Sequence, residues 1–477
     1  LVRRWTCSGT HRRGIAGMVP KVKLWSRQLD AAITERHRYA AYVAFQAVLG
    51  WEFEWCTQEE LRANENTVCI QYGGLQSETP KGVEWIPDSG LLNAKGVQDI
   101  ALDWSDASLT PGAIRLPFGV KDEETGGVHS DWLSWVFWMA SRMEEQVEHH
   151  EGFRDDLGRF KGSQSLAHQE GWLPYPIVEK CIRIWAKNST VSMPLQQKYS
   201  VEPTIDVDSA YAYRHKGWKL TLAASANDLI RGRWSRLIER PLVLLGWRAD
   251  PYDTYAWLEK AHENVALRAR YFFLLSDRGR YDRGVPWDAS QLRTCIQSLR
   301  QSAAIGIHPG FASHDAADDA SMHHEIERLA GVLNERVVVS RQHYLLQRFP
   351  ESWKRLERLG ITSDHSLGYA DVVGFRAGMS RPFRAYDITE ERIMDIVLHP
   401  IAVMDATLMR HLKLSPKEAL ERVRQLSSHV KEVEGVMVLL WHNESVSDRW
   451  EWQGWMGFYQ EVLEAVVLDK NGITLDS

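Results

Sequence analysis

The second half of the chain is predicted to be an α/β domain built as a parallel β/α barrel, and two observations lead there. From about residue 201 onward, seven short apolar runs of strand length alternate with amphipathic helical patterns. Right-handed crossovers repeated along a parallel sheet place helices outside and strands inside. The ends of those runs also collect aspartates, histidines and arginines, and active sites of parallel β/α folds lie at the carboxyl ends of the strands. A doubly wound open sheet is the alternative. At 477 residues the chain exceeds one ordinary core, so residues 23–200 are expected to form a separate N-terminal accessory α/β domain, with 201–477 as the barrel.

In the N-terminal part, an apolar stripe of Tyr39, Tyr42, Val43, Phe45, Val48 and Leu49 predicts a helix from Glu35 to Gly50, where the glycine ends it. Asn66–Tyr72 and Gly82–Ile86, separated by a Gly-Gly turn, are expected as strands. A second helix is predicted from Ser130 through the aromatic stretch Trp132–Trp138 to about Val147, its end solvated by His149 and His150. A third covers Pro176–Trp185. Periodicity is lost over Asn188–Glu202, which suits a linker. The Arg-rich opening, residues 1–22, begins with Leu and is expected to be a disordered, truncated or tagged start.

The barrel strands are predicted at Pro203–Val207, Ala269–Leu275, Ala303–Ile307, Val337–Ser340, Asp364–Tyr369, Ile393–Leu398 and Val436–Leu440. The helices between them are Asp253–Asn264, Ala289–Gln301, Asp318–Asn334, Pro350–Leu359, Pro416–Lys431 and Asp448–Val467. Each strand is a short apolar run and each helix carries a 3.6-residue stripe. No repeat of solenoid length occurs.

Composition narrows the function classes. With 44% hydrophobic and 25% charged residues the chain is globular, and a formal charge of -6 supplies neither the basic footprint of a nucleic-acid binder nor that of a membrane-surface protein. No run of eighteen apolar residues is present and the opening lacks the apolar core of a secretory signal, so a cytoplasmic location is expected. Five scattered cysteines, Cys7, Cys56, Cys69, Cys181 and Cys295, are expected to be free thiols in a reducing compartment. The 21 tryptophans suit core volume as well as sugar stacking.

Chemistry collects at the strand ends. Asp206 and Asp208, two positions apart, project from one face of the first strand, a pattern suited to one metal ligand and one general base. A turn using one aspartate to hold backbone amides would give the same residues. His308, pinned by Pro309 after the third strand, can present a neutral imidazole to zinc or a similar ion. Arg341 and His343 follow the fourth strand, and Trp441 and His442 end the seventh. In the segment Gly368–Asp387, Arg376 either contacts substrate oxygen through its fork of donors or pairs with Asp371 as a structural element.

Together these residues resemble the polysaccharide deacetylase (carbohydrate esterase) superfamily, within it a bacterial group with an extra N-terminal domain. The likeness covers roughly residues 200–465 through short motifs and, more loosely, 130–180. It implies a distorted (β/α)7 barrel that holds a divalent metal, zinc the first candidate, through one Asp and two His. Carried over by position, Asp206 resembles the base, Asp208 the metal aspartate, His308 the first metal histidine, Arg341 the arginine supporting the base and His442 the late acid. Three departures stand out. The usual adjacent aspartate pair is split by Val207; the position four after His308 is Ala312, leaving His343 or His314 to complete the site; and Asn443, not Asp, follows His442.

The resemblance implies N-deacetylation of an N-acetylated sugar in a polysaccharide or its precursor, with Asp206 as base, His442 as acid, and Trp441 and Tyr211 as stacking walls. Two other functions share these residues. A glycosyltransferase could hold its nucleotide-sugar metal through Asp206-Val207-Asp208, and a glycan-binding protein could stand on a barrel whose catalysis has decayed. Carbohydrate is the expected partner in each case, with neither nucleic acid nor a membrane span.

Overall fold

The computed structural model describes residues 20–26, 33–61, 67–98, 102–147, 152–189, 198–316 and 318–467. Most of the expected disordered opening, together with Cys7, His149 and His150, lies outside the described residues. The boundary at residue 23 needs correction, because a strand, β1 (Lys21–Ser26), begins before it. With β2 (Glu52–Trp55), β3 (Thr67–Tyr72) and β4 (Glu84–Ile86) it forms an all-parallel sheet in the order β2-β1-β3-β4. Parallel pairing needs crossovers, and the first is the predicted helix, α1 (Glu35–Ala41) running on into a π-helical stretch, Tyr42–Val48.

A short antiparallel pair, β5 (Gly119–Lys121) and β6 (Val128–Ser130), leads into α2 (Trp132–Ala140). Every residue of α2 is buried, as expected of a helix apolar on all sides. It packs between the N-terminal unit and the rest of the chain, where Phe137 and Tyr39 meet the ring of Tyr386. Two further helices, α3 (Leu166–Gln169) and α4 (Ile177–Asn188), complete this region. The expected linker, Asn188–Glu202, starts on the last residue of α4 and ends inside the strand that begins at Ser200, and its residues 190–197 lie outside the described residues.

Six of the seven predicted strands are present in one sheet, as β7 (Ser200–Val207), β8 (Arg270–Phe273), β9 (Ala304–Ile307), β10 (Val339–Ser340), β13 (Arg392–Leu398) and β15 (Val436–His442), while the expected Asp364–Tyr369 shares one residue with the strand found there, β11 (Ser363–Asp364). Two more were not foreseen: β12 (Phe383–Asp387), antiparallel to β13, and β14 (Val403–Met404), parallel to β15. The order is β12-β13-β11-β10-β9-β8-β7-β15-β14. This sheet is open, and among the described residues no ladder joins β12 or β13 to β14. Strand β14 is only two residues long, so the gap is stitched instead by single bonds from Ile401 N–H to the Leu367 carbonyl and from Ala402 N–H to the Val438 carbonyl.

The six predicted helices appear as α7 (Tyr255–Asn264), α8 (Ser290–Leu299), α10 (Ala320–Leu333), α11 (Glu351–Arg358), α12 (Pro416–Glu432) and α13 (Trp455–Val467). Unforeseen are α5 (Trp218–Ile230) and α6 (Trp234–Leu244), inserted between β7 and α7, and the short α9 (Phe311–Asp315). No helix among the described residues is long and apolar enough to cross a membrane. Cys56, Cys69, Cys181 and Cys295 are all free. One hydrophobic cluster runs through both regions, joining Val22 and Phe45 to Tyr386 and Leu439. The N-terminal unit is thus packed on the large sheet, not tethered to it.

Candidate metal centre and active site

The carboxyl ends of β7, β9 and β10 bring Asp208, His308 and His343 together, with one donor atom from each lying within 4.8 Å of the others. His308 Nε2 stands 3.3 Å from Asp208 Oδ1, and His343 Nε2 stands 3.5 Å from Asp208 Oδ2. Each imidazole is oriented through its other nitrogen. His308 Nδ1 lies 2.6 Å from the Arg341 carbonyl, which can only accept, so this nitrogen carries the proton. His343 Nδ1 lies 2.8 Å from Asp282 Oδ1. Both Nε2 atoms are then lone pairs facing a carboxylate, and Asp208 Oδ1 is buried without a hydrogen-bond partner. Acceptors converging in this way, each imidazole backed by an acceptor on its far nitrogen, could hold a divalent cation.

In the ion-free protein, protons answer the same field. Burial opposes the charge on His343, but Asp208 and Asp282 outweigh it and bring the imidazole up to about 9. Burial likewise works against ionised Asp208, yet His343, His308 and His442 hold its carboxyl well below the usual range.

Asp282 was not foreseen as a site residue. It accepts backbone N–H groups from Phe311 (2.9 Å) and Ala312 (3.2 Å), so the position lacking the usual second histidine helps to fix the carboxylate that orients His343. Gly310 makes this approach possible: a Cβ there would sit 2.6 Å from Ser276 Cβ and 2.9 Å from Asp282 Oδ2.

Beside this cluster, Asp206 is buried and Arg341 Nη1 donates to its Oδ1 at 2.8 Å. Arg341 is itself fixed by its Nε bond to the His365 carbonyl, 2.9 Å, and by the face of Phe272, 4.4 Å away. The free oxygen of Asp206 points toward the histidines, 3.7 Å from His308 Nε2. Pairing of β15 with β7 sets His442 directly opposite Asp206. Its Nδ1 lies 2.8 Å from Asp405 Oδ1, and its backbone N–H donates to Asp405 Oδ2, also at 2.8 Å. Burial disfavours the imidazolium, but Asp405 overrides it and, with Asp208 and Asp206, raises His442 to about 10. Asp405 too went unforeseen, because it follows β14, a strand too short to be legible.

Of these residues, Asp206, Asp208, His308, His343 and His442 line a cleft of about 430 Å³. Four residues weighed for substrate or metal stand elsewhere. Trp441 is fully buried on the opposite face of β15, packed on Tyr459 at 4.9 Å, as strand alternation beside His442 requires. Arg376 is buried against Glu145, its guanidinium forked onto that carboxylate, so the structural alternative holds, but with Glu145 in place of Asp371. Asp371 instead accepts the N–H groups of Gly162 and Ser163. Tyr211 lies outside the cleft lining, edge-on to His215. His314, the alternate ligand, borders a separate depression with Arg348 and Arg355. The aromatic walls are Tyr252, Tyr281 and Tyr344, and Arg159 reaches in from the N-terminal part.

A second histidine–carboxylate group, Glu202, His365 and His399, lies deeper in the sheet. Its two rings stack at 3.9 Å with planes 17° apart, so their in-plane lone pairs do not meet at one point, and Arg270 already neutralises Glu202 at 3.2 Å. Burial also holds His365 well below its usual pKa, so the group is Glu202 paired with Arg270 beside a neutral imidazole.

Residues 29–189 match a family of unknown function (DUF7033). No curated protein matches the chain. Among solved structures, a Mycobacterium smegmatis protein described as a polysaccharide deacetylase is similar at 16% identity and a TM-score of 0.37, over 57% of this chain and 85% of that one. A glycosidase described as a GH138 enzyme targeting pectin rhamnogalacturonan II matches at 9% identity and a TM-score of 0.18, over 94% of this chain and 51% of that one. Likeness at this level says nothing about the chemistry of the cleft.

Proposed function

We propose that the chain is a metal-dependent hydrolase acting on carbohydrate, and that it removes the acetyl group from an N-acetylated sugar. One observation supports this above the others. The acceptor-only set of Asp208, His308 and His343 opens into the same cleft as an arginine-fixed aspartate and, across from it, a histidine held by a buried carboxylate. Metal-assisted amide hydrolysis uses a cation site, a base and an acid together in one cleft.

Asp208, His308 and His343 would hold the ion. When bound, a divalent cation supplies a Lewis acid for the acyl oxygen and lowers the pKa of a coordinated water. The chain's own groups do the rest. Asp206 accepts the proton of the attacking water, and Arg341 aims it by donating to its other oxygen. His442, protonated and held by Asp405, donates to the departing amine nitrogen. The polar walls of Tyr252, Tyr281, Tyr344 and Arg159 suit a hydroxyl-rich substrate, since each ring offers both a face and a phenol oxygen.

The test is elemental analysis of the purified protein, followed by incubation of the metal-loaded enzyme with N-acetylated oligosaccharides and assay of acetate and free amine. Stoichiometric metal that is lost in Asp208→Ala, with acetate and amine released in equal amounts, is the expected result. Metal binding without any acetate release from a broad panel would refute the deacetylase function while leaving the metal centre standing.

A further inference from the structure

The hairpin α5–α6, between β7 and α7, has its amphipathicity reversed. Trp218, Leu222 and Leu229 recur on one face of α5, and Trp234, Ile238, Pro241 and Leu245 on one face of α6, at spacings of four, seven and eleven residues. In a core-packed helix that face would be inside. Here it is outside: Trp218 is 70% exposed, Ile238 65%, Leu245 62%, and at the hairpin tip Ile230 is 84% exposed. Beyond α6, Trp247 adds a further 73% exposed ring.

The charged residues are reversed too. Both acids of the hairpin are buried and paired, Asp228 with Arg240, and Glu239 with Arg449 at 3.3 Å and with the Tyr213 hydroxyl, also at 3.3 Å. The Arg236 guanidinium lies 4.2 Å over Trp450, and Arg214 donates to the Val243 carbonyl. These contacts fasten the inner face to the body of the protein. From Gly217 to Ala249 the exposed charges that remain are Lys219, Arg231 and Arg248, all cationic.

We propose that this hairpin docks the protein on the surface of an anionic lipid bilayer. Exposed Trp, Leu and Ile flanked only by Lys and Arg are the composition of an element lying in the interface, with apolar rings among the acyl chains and cations at the headgroups. A second copy of the chain fits less well, because symmetric pairing would set Lys219, Arg231 and Arg248 against their own kind. The net charge of -6 conceals this patch, since it averages over the whole chain. Lys216 and Tyr252 line both the cleft and the groove beneath the hairpin, so the docking face lies next to the cleft mouth. If the cleft deacetylates glycans, as proposed above, the substrate class this placement favours is a glycan carried on a lipid.

Flotation of the full chain with lipid vesicles tests docking without reference to catalysis. Vesicles of phosphatidylcholine alone are compared with vesicles containing about 30% phosphatidylglycerol, and light scattering gives the oligomeric state without lipid. The protein is expected to float with the anionic vesicles. Leu229→Ser with Ile230→Ser and Trp234→Ser should cut the bound fraction at least about tenfold, since losing even one such buried side chain is worth that factor. Lys219→Glu with Arg231→Glu and Arg248→Glu should abolish the preference for anionic lipid. All six positions face outward, and melting curves matching wild type confirm that the variants fold. Failure to float with anionic vesicles, flotation unchanged in both variants, or a dimer in solution that the serine variant dissociates would each overturn the proposal.

Discussion

Replacing Asp405 by Asn removes one charge from a buried hydrogen-bonded pair while keeping its shape, and the consequence should appear in the alkaline limb of the pH–rate profile. Asp405 is fully buried and its carboxylate holds His442 at two points, both 2.8 Å. Burial disfavours the imidazolium, and the charge and hydrogen bond of Asp405 are the largest influences opposing it, ahead of Asp208 and Asp206. A cation on Asp208 would cancel that residue's share and bring His442 below its value of about 10 in the ion-free protein, leaving Asp405 as the main source of its elevation. An opposite charge at such range is worth roughly 1–3 pKa units. His442 must be protonated to donate, so activity falls as pH rises through its pKa. A downward shift of about two units moves the alkaline limb by the same amount, and on that limb the protonated fraction drops by up to about a hundredfold. The assay is kcat/KM for acetate release from pH 6 to 10, on wild type and Asp405→Asn preparations of equal metal content. An alkaline limb that stays in place, whatever the change in absolute rate, would refute the assignment of His442 as an acid tuned by Asp405.

Other variants separate the remaining roles. Asp206→Asn should retain the metal and lose turnover by about 10²–10⁴-fold, while loss of metal along with activity would make Asp206 a ligand. Asp282→Asn should weaken metal affinity by about 10–100-fold, measured by competition with a chromogenic chelator, because the acceptor that orients His343 loses its charge. Arg376→Gln should destabilise the fold by about 1.5–3 kcal/mol in urea titrations, since it leaves the buried Glu145 carboxylate to Arg142 alone, yet leave metal content unchanged. His262, buried against the Tyr459 hydroxyl at 2.9 Å, is held neutral by burial with its pKa lowered from 6.5 to about 4. The unfolded chain therefore binds this proton first, and stability should fall as pH drops below about 6.5, levelling off near 4 at a loss of up to about 3 kcal/mol. His262→Gln should flatten that part of the Tm–pH curve, and an unchanged slope would exclude His262 as a source of the acid sensitivity.

The strands of the large sheet were legible because each is a short apolar run with chemistry at its end, and a sequence carries both signals locally. Whether the sheet closes is not local: it depends on Ile401 and Ala402 meeting Leu367 and Val438, which no periodicity reveals. Helices α5 and α6 escaped because their apolar stripes face solvent and the pattern has no inward counterpart. In the site, Asp206, Asp208, His308, Arg341, His343 and His442 stood out by following strands. Asp282 did not, for it lies in a loop with Asp277 and Asp288, and only the Gly310 close approach distinguishes it from them. Trp441 illustrates a signal that was present and outweighed: next to an inward His442, period-two alternation already puts its ring on the helix side.

The N-terminal region belongs to the same argument, because its contact with the large sheet is built from groups that tolerate little movement. Arg142 and Arg376 share the carboxylate of Glu145 in a buried site, and Arg142 also reaches the Tyr369 hydroxyl at 3.1 Å. Burial works against the Glu145 charge, yet the two guanidinium groups hold its carboxyl below the usual range. Glu179 ties Ser380 and Arg381 in the same manner, through their backbone N–H groups. Sliding the N-terminal unit would strand several buried charges at once, each at a cost of several kcal/mol. From this fixed platform the loop bearing Leu157 and Arg159 extends over the cleft, where Arg159 donates to the Tyr344 carbonyl at 2.8 Å. Tyr344 follows directly on His343, so the N-terminal unit braces the chain at a candidate metal ligand as well as walling one side of the cleft.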